Sequence, residues 1–176
     1  MLTIGHSNRP LAELLAMLEA HGVNLLVDVR TVPRSRHNPQ FNAEALPEPL
    51  AAAGIRYVHM PGLGGLRLAR KDARNTGWRN LSFRGYADYM QTAEFEENLA
   101  QLLRLEEGKR AAIMCVESVP WRCHRSMIAD ALTARGIHVG HIMSATKADP
   151  HKLTPFAWVE GTKVTYPPTD MELFEE

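Results

Sequence analysis

The densest run of chemically able side chains in this 176-residue sequence lies between Cys115 and Ser126, where Glu117, Arg122, Cys123, His124 and Arg125 follow Cys115. A cysteine that leaves an apolar strand and precedes a helix start sits where backbone N–H groups and the helix dipole stabilise a thiolate or a bound anion. Arg122, His124 and Arg125 add positive charge to that corner. Glu117 puts a carboxylate directly after a buried run, where it needs a partner. Cys115 and Glu117 are therefore candidate catalytic residues, with Cys123, His124 and Arg125 as candidates for holding an anion. The same spacing also sets Cys123 and His124 one turn before Met127 and Ile128, on an apolar face where a cysteine is commonly only core.

Spacing narrows the chemistry. Cysteine-dependent phosphatases place five residues between nucleophile and arginine. Here six separate Cys115 from Arg122, so that phosphate loop does not fit. Sulfur transferases of the rhodanese kind carry a cysteine after a strand and before a helix, an architecture this run resembles. Seven residues between Cys115 and Cys123 match no standard zinc knuckle, and no metal site is expected.

A second run, from Asp28 to Asn42, carries Arg30, Arg34, Arg36 and His37 on a Pro-containing loop with no acid between Asp28 and Glu44. Guanidinium forks on such a loop suit phosphate or carboxylate recognition. Asp28 would orient Arg30 or a histidine, and the set Ser7, Asp28, Arg30, Arg34 and Arg36 joins the anion-binding candidates. His6 is a candidate for moving protons, and Ser7 is equally suited to capping a helix. Between Arg30 and Arg84 there are ten basic residues against three acids, with Phe41, Tyr57, Trp78, Phe83 and Tyr86 among them. A basic stretch with aromatics can bind nucleic acid, although aromatics at this density usually anchor packing. No GxSxG, Walker or GxGxxG motif occurs, which removes the usual support for a serine hydrolase, a P-loop NTPase or a Rossmann dehydrogenase.

Strands and helices must alternate to bring these runs together. Apolar runs over 2–4, 23–29, 55–58, 111–116 and 137–142 read as strands. Helical stripes cover 11–18, 44–53, 95–103 and 127–132, with a helical turn at 86–90. Gly22, Gly54, Gly108 and Gly136 stop the helices, and Ser7 or Asn8 caps the first with Pro10 opening it. Residues 61–84 show almost no periodicity and read as a long functional loop. The expectation is one α/β domain over 1–176, with a core at about 2–143 holding a mostly parallel sheet of about five strands covered by helices on both faces. An extension over 144–176 would hold an edge strand at 164–166 and an acidic tail that frays. Ligands of such sheets bind beyond the carboxyl ends of the strands, where His6, Ser7, Asp28, Arg30, His59, Cys115, Glu117, His141 and Ser144 all fall.

Composition sets the outer limits. Hydrophobic residues at 45 % and charged residues at 23 % fit a globular protein. Twenty basic residues balance twenty acidic ones, so net charge gives no reason to expect a nucleic-acid or membrane partner. No apolar run is long enough for a membrane helix, and the first residues lack the cationic start of a signal peptide. Two cysteines are too few for a disulfide framework, and reduced thiols in the cytoplasm are the default expectation.

Taken together, Thr3-Ile4-Gly5-His6-Ser7-Asn8, Val27-Asp28-Val29-Arg30 with Pro33-Arg34-Ser35-Arg36, Leu63-Gly64-Gly65, Arg84-Gly85-Tyr86, Cys115-x-Glu117 and Cys123-His124-Arg125-Ser126 are similar to the bacterial family called domain of unknown function 488. The likeness runs in order from about Leu2 to His141. It implies an α/β domain and one site built from these motifs, and it supplies no reaction and no cofactor. Three functions compete. The first is an enzyme acting on a phosphate-bearing or nucleotide-like substrate at the carboxyl edge of the sheet. The second is a non-catalytic nucleic-acid-binding module. The third is sulfur transfer or redox chemistry at Cys115 with Cys123 resolving. A homodimer is expected only on the general frequency of such assemblies.

Overall fold

A computed structural model of the protein describes residues 1–169, and the expected acidic tail at 170–176 lies outside the described residues. In chain order the elements are β1 (Leu2–Gly5), α1 (Leu11–Ala20), β2 (Leu25–Asp28), α2 (Pro47–Ala52), β3 (Arg56–His59), α3 (Leu81–Tyr89), α4 (Ala93–Glu106), β4 (Ala111–Cys115), α5 (Arg125–Ala134), β5 (Gly140–Ser144), β6 (Lys147–Pro150), β7 (Trp158–Glu160) and β8 (Lys163–Thr165). Six strands form one sheet in the order β3-β2-β4-β1-β5-β6, parallel except for the last pair. The fold is α/β with a mostly parallel sheet, as the alternation implied.

The apolar runs are continuous because both faces of the central strands are covered. Leu25 and Val27 of β2, with Ala111, Ile113 and Cys115 of β4, join a core that includes Tyr86, Phe95, Leu99, Met127 and Ile128. Their alternate neighbours Leu26, Ala112 and Met114 join the opposite core, with Leu14, Leu18, Phe41 and Leu50. Helices α3, α4 and α5 therefore cover one face, and α1 and α2 the other. Gly54 and Gly136 end α2 and α5 at φ of 75° and 76°, a conformation that glycine adopts without a Cβ clash.

Several local expectations are corrected. Neither Ser7 nor Asn8 caps α1: Pro10 occupies the cap position with no side-chain bond. Ser7 instead turns the chain at φ 49°, its N–H on the Val116 carbonyl at 2.8 Å. Helix α3 starts at Leu81 rather than near Tyr86, because the Asn80 side chain accepts from the N–H groups of Ser82 and Phe83. Gly85 and Arg84 interrupt the apolar stripe that would have revealed that first turn. The expected edge strand near 164–166 is β8, which pairs with β7 in a separate hairpin. The edges of the main sheet are β3 and β6, and β6 turns back antiparallel onto β5.

The 61–84 segment is pinned from within. Asn75, buried, donates to Asp88 at 2.8 Å and accepts from the Tyr166 N–H at 2.9 Å. The Arg67 guanidinium lies 3.6 Å over the Tyr89 ring and donates to the carbonyls of Gly62 and Gly64.

Candidate functional site

Helix α5 begins beside the end of β4, so the topology delivers Cys115 and Cys123 to one point. The two form a disulfide, with Cα atoms 7.5 Å apart. Beside them lies Arg125, fully buried. Its Nη1 donates to Cys115 Sγ at 2.9 Å and to the Glu117 carbonyl, its Nη2 to the Ser118 carbonyl at 3.1 Å, and its Nε to Thr3 Oγ1 at 3.2 Å. Burial pulls the Arg125 pKa down to about 10, which leaves the group charged at neutral pH. All of these acceptors belong to the protein.

A polar chain runs from Arg125 through the sheet. Thr3 Oγ1 contacts His141 Nδ1 at 2.6 Å, His141 Nε2 contacts His151 Nδ1 at 2.8 Å, and His151 Nε2 contacts Asp130 Oδ1 at 2.8 Å. Arginine can only donate and a carboxylate can only accept, which fixes the two ends of the chain. Burial first, then the neighbouring His151, lowers the His141 pKa to about 4, which keeps that ring neutral at pH 7. Thr154 and Tyr166 hydroxyls complete the shell of Asp130, each at 2.7 Å.

Beyond β2, Asp28 and Arg30 form a buried pair, with Arg30 Nε and Nη2 on the two carboxylate oxygens at 2.9 and 2.6 Å. Tyr57 donates to the same carboxylate at 2.6 Å, and the Phe41 carbonyl accepts from Arg30 Nη2 at 2.6 Å. Arg30 Nη1 points to His6 Nε2 at 3.2 Å. His6 Nδ1 faces the Ser7 carbonyl at 2.7 Å and must carry the ring proton, so Nε2 receives the Arg30 hydrogen. Burial and the Arg30 charge hold the His6 pKa at about 4. His6 is thus neutral with its lone pair engaged, and it positions Arg30 rather than standing free as a base. Its ring stacks on Phe41 with centroids 4.4 Å apart.

His124 follows the same logic. Its Nε2 donates to the Val29 carbonyl at 3.0 Å, which leaves the Nδ1 lone pair facing Cys123 Sγ at 3.6 Å. Burial lowers its pKa to about 4. Cys123 thus neighbours the His124 ring, while Cys115 neighbours the Arg125 guanidinium.

A cleft of about 320 Å³ opens over these groups, lined by Arg30, Arg122, Glu117, His124 and both cysteines among others. Its apolar walls include Val32 and Leu66, which are 63 % and 75 % exposed. Of the sequence candidates, Cys115, Glu117, Arg30, Cys123 and His124 line this cleft, with Asp28, His6 and Arg125 bound to its lining from beneath. Arg34 and Arg36 do not line it: both are exposed, and Arg34 meets Glu44 at 3.5 Å. Ser7 supports His6 through its carbonyl alone. The Glu117 side chain is exposed rather than buried, so the need for a buried partner does not arise.

Sequence reasoning missed Thr3, Gly65, Asp130 and His151. Asp130 had a signal, an acid on a helix otherwise lined by Met127, Ile128, Ala131 and Leu132. Thr3 had a weaker one, a hydroxyl between Leu2 and Ile4. His151 had none, because only the fold of β6 brings it to His141. Gly65 had only its place in the Leu63-Gly64-Gly65 run. A Cβ there would stand 2.6 Å from His124 Nδ1.

Much of the basic stretch is engaged internally. Arg84 donates to the Trp78 carbonyl at 3.1 Å, and Arg70 pairs with Asp72. Phe41, Tyr57, Trp78 and Tyr86 are held by ring packing or hydrogen bonds within the fold. Among the described residues no group of three His, Cys, Asp or Glu side chains is placed to hold a metal ion, and no helix is long and apolar enough to cross a membrane.

A family model described as "Domain of unknown function DUF488" matches residues 10–132, a span that holds the Asp28–Arg30 pair and the whole Cys115–Ser126 run. His6, Thr3 and His141 lie outside the matched span. No curated protein and no solved structure matches the chain.

Proposed function

Because the chain belongs to the DUF488 family, whose description names no activity, we propose a function from the site alone: thiol–disulfide chemistry at the Cys115–Cys123 pair, acting on a small anionic thiol held in the cleft. The observation that carries this reading is the Arg125 guanidinium 2.9 Å from Cys115 Sγ, with Cys123 bonded to the same sulfur. A substrate thiolate attacks Sγ of Cys123, the less buried residue of the pair at 6 % exposure against 2 % for Cys115. The bond between the cysteines breaks, and Cys115 leaves as a thiolate beside Arg125. A second substrate thiolate then attacks the substrate sulfur of the mixed disulfide, and Cys123 leaves and takes up a proton from solvent. Two substrate thiols are oxidised to one disulfide as the protein pair gains two electrons. A low-pKa leaving thiol speeds the first step, which is where Arg125 acts. Arg122, the cleft cation that Asp28 does not neutralise, favours an anionic partner.

A second reading, a nucleotide-like substrate with its phosphate on Arg30 and Arg122, is favoured by those two cations sharing a cleft with the apolar walls of Val32, Leu66 and Phe83. The deciding experiment is peptide-resolved alkylation of the reduced protein across pH. Under the cysteine reading, Cys115 reacts with a midpoint well below the ordinary thiol value of about 8.5, and Cys123 does not. A Cys115 midpoint at or above that value overturns the cysteine reading. Protection of the cleft by inorganic phosphate, with no such midpoint, turns the assignment to the nucleotide-like substrate.

A further inference from the structure

Arg125 reaches the cysteine corner from α5, so something must hold its guanidinium in register with a sulfur on another element. Three of its contacts are made by the Nη groups, to Cys115 Sγ and to the carbonyls of Glu117 and Ser118. Glu117 and Ser118 follow the end of β4 and belong to no helix or strand. The fourth contact is of another kind. Nε donates to Thr3 Oγ1 at 3.2 Å, and Thr3 is a fully buried residue of β1, an inner strand of the sheet.

The pairing of β1 with β4 makes that contact a fixed reference. Gly5 stands opposite Cys115 and Thr3 opposite Ile113. Alternate residues of a strand share a face, so the Thr3 side chain lies on the face that carries Cys115. Gly5, also on that face, leaves a gap in which the Glu117 carbonyl sits within reach of Arg125, and a Cβ on Gly5 would overlap that carbonyl. The Thr3 hydroxyl is itself held. His141 is its register partner on β5, with Nδ1 at 2.6 Å from Oγ1, and His141 is tied through His151 to Asp130. A guanidinium is planar, so anchoring Nε and Nη2 separately fixes where Nη1 stands.

We propose that Thr3, held by His141, is a positioning residue for the cysteine chemistry: it fixes Arg125 so that the guanidinium charge stays on Cys115 Sγ. The inference rests on the thiol–disulfide reading above. When the bond to Cys123 breaks, Cys115 keeps the electron pair and leaves as a thiolate, and a guanidinium held against it makes it a better leaving group. Thr3 takes no part in the exchange itself and acts through Arg125.

The test is peptide-resolved alkylation of the reduced parent, Thr3→Val and Thr3→Ser proteins across pH, with the Cys123 profile as internal reference. Thr3→Val keeps the shape and loses the hydroxyl, and its Cys115 midpoint rises by about half a pH unit or more. Thr3→Ser keeps the hydroxyl and the parent midpoint. A purely structural role predicts instead that Thr3→Val speeds the reaction of both cysteines and leaves the Cys115 midpoint in place. A second measurement needs no variant: in the reduced parent, the Arg125 Nε–H signal exchanges with water far more slowly than that of an exposed arginine such as Arg36. Exchange as fast as that of Arg36 overturns the proposal. So does an unmoved Cys115 midpoint in Thr3→Val, or a Thr3→Ser midpoint shifted as far as that of Thr3→Val. A parent midpoint at or above about 8.5 overturns the cysteine reading itself. A low parent midpoint that Thr3→Val leaves in place overturns only the role of Thr3.

Discussion

Thr3 Oγ1 lies 2.6 Å from His141 Nδ1 and also accepts from Arg125 Nε at 3.2 Å, so one hydroxyl in a buried strand joins the cysteine corner to the His141–His151–Asp130 chain. Removing that hydroxyl leaves an arginine N–H and an imidazole nitrogen buried without partners. Thr3→Val, nearly the same shape, should cost about 1–3 kcal/mol, whereas Thr3→Ser keeps the hydroxyl and should stay close to the parent. Thermal unfolding reads the difference as a fall of about 2–4 °C per kcal/mol for a chain of this size. Equal melting points for the two variants would show that the hydroxyl does not hold the chain together.

The Asp28–Arg30 pair is buried, and its carboxylate also receives Tyr57. Asp28→Ala leaves the largely buried Arg30 guanidinium without its carboxylate, and a loss of about 3–5 kcal/mol is expected. Tyr57→Phe removes a single donor to that carboxylate and should cost less, about 1.5–3 kcal/mol. Denaturant unfolding of the two variants checks the order, and a Tyr57→Phe effect as large as that of Asp28→Ala would contradict it.

His6, His124 and His141 all have pKa values pulled from 6.5 to about 4, chiefly by burial. Above pH 6.5 they are neutral in both folded and unfolded chains and cost nothing. As pH falls from 6.5 toward 4, the unfolded chain binds protons that the folded chain refuses, so stability must fall through that window. Each imidazole contributes up to about 3 kcal/mol to that loss, at about 1.4 kcal/mol per pKa unit. A stability that is flat across the window would mean that these imidazoles are not held neutral.

Gly65 faces His124, and an added Cβ would stand 2.6 Å from Nδ1 and 2.8 Å from Cγ. Gly65→Ala should push the ring off the Val29 carbonyl and away from Cys123, at about 1–3 kcal/mol. Faster alkylation of Cys123 in the reduced variant, together with a lower melting point, is the expected signature. An unchanged Cys123 rate would show that the ring yields without releasing its neighbours.

The sequence by itself determined the strand runs, the helix stops and the edge of the sheet where chemistry gathers. Those rest on local physics: alternate residues of a strand covered on both faces are all apolar, and glycine closes a helix where a left-handed residue is needed. It also put Cys115, Glu117, Arg30 and His124 in one neighbourhood. Only the tertiary structure decided what each does. Arg125 reads as an anion ligand in a string of letters, yet its donors are engaged by Thr3, Cys115 and two carbonyls. Arg34 and Arg36 read like Arg30, but the loop leaves both in water while Arg30 is drawn under the cleft by Asp28. The chain from Thr3 to Asp130 spans residues that are 127 positions apart, and no local pattern reports a contact made by strand order and a returning edge strand.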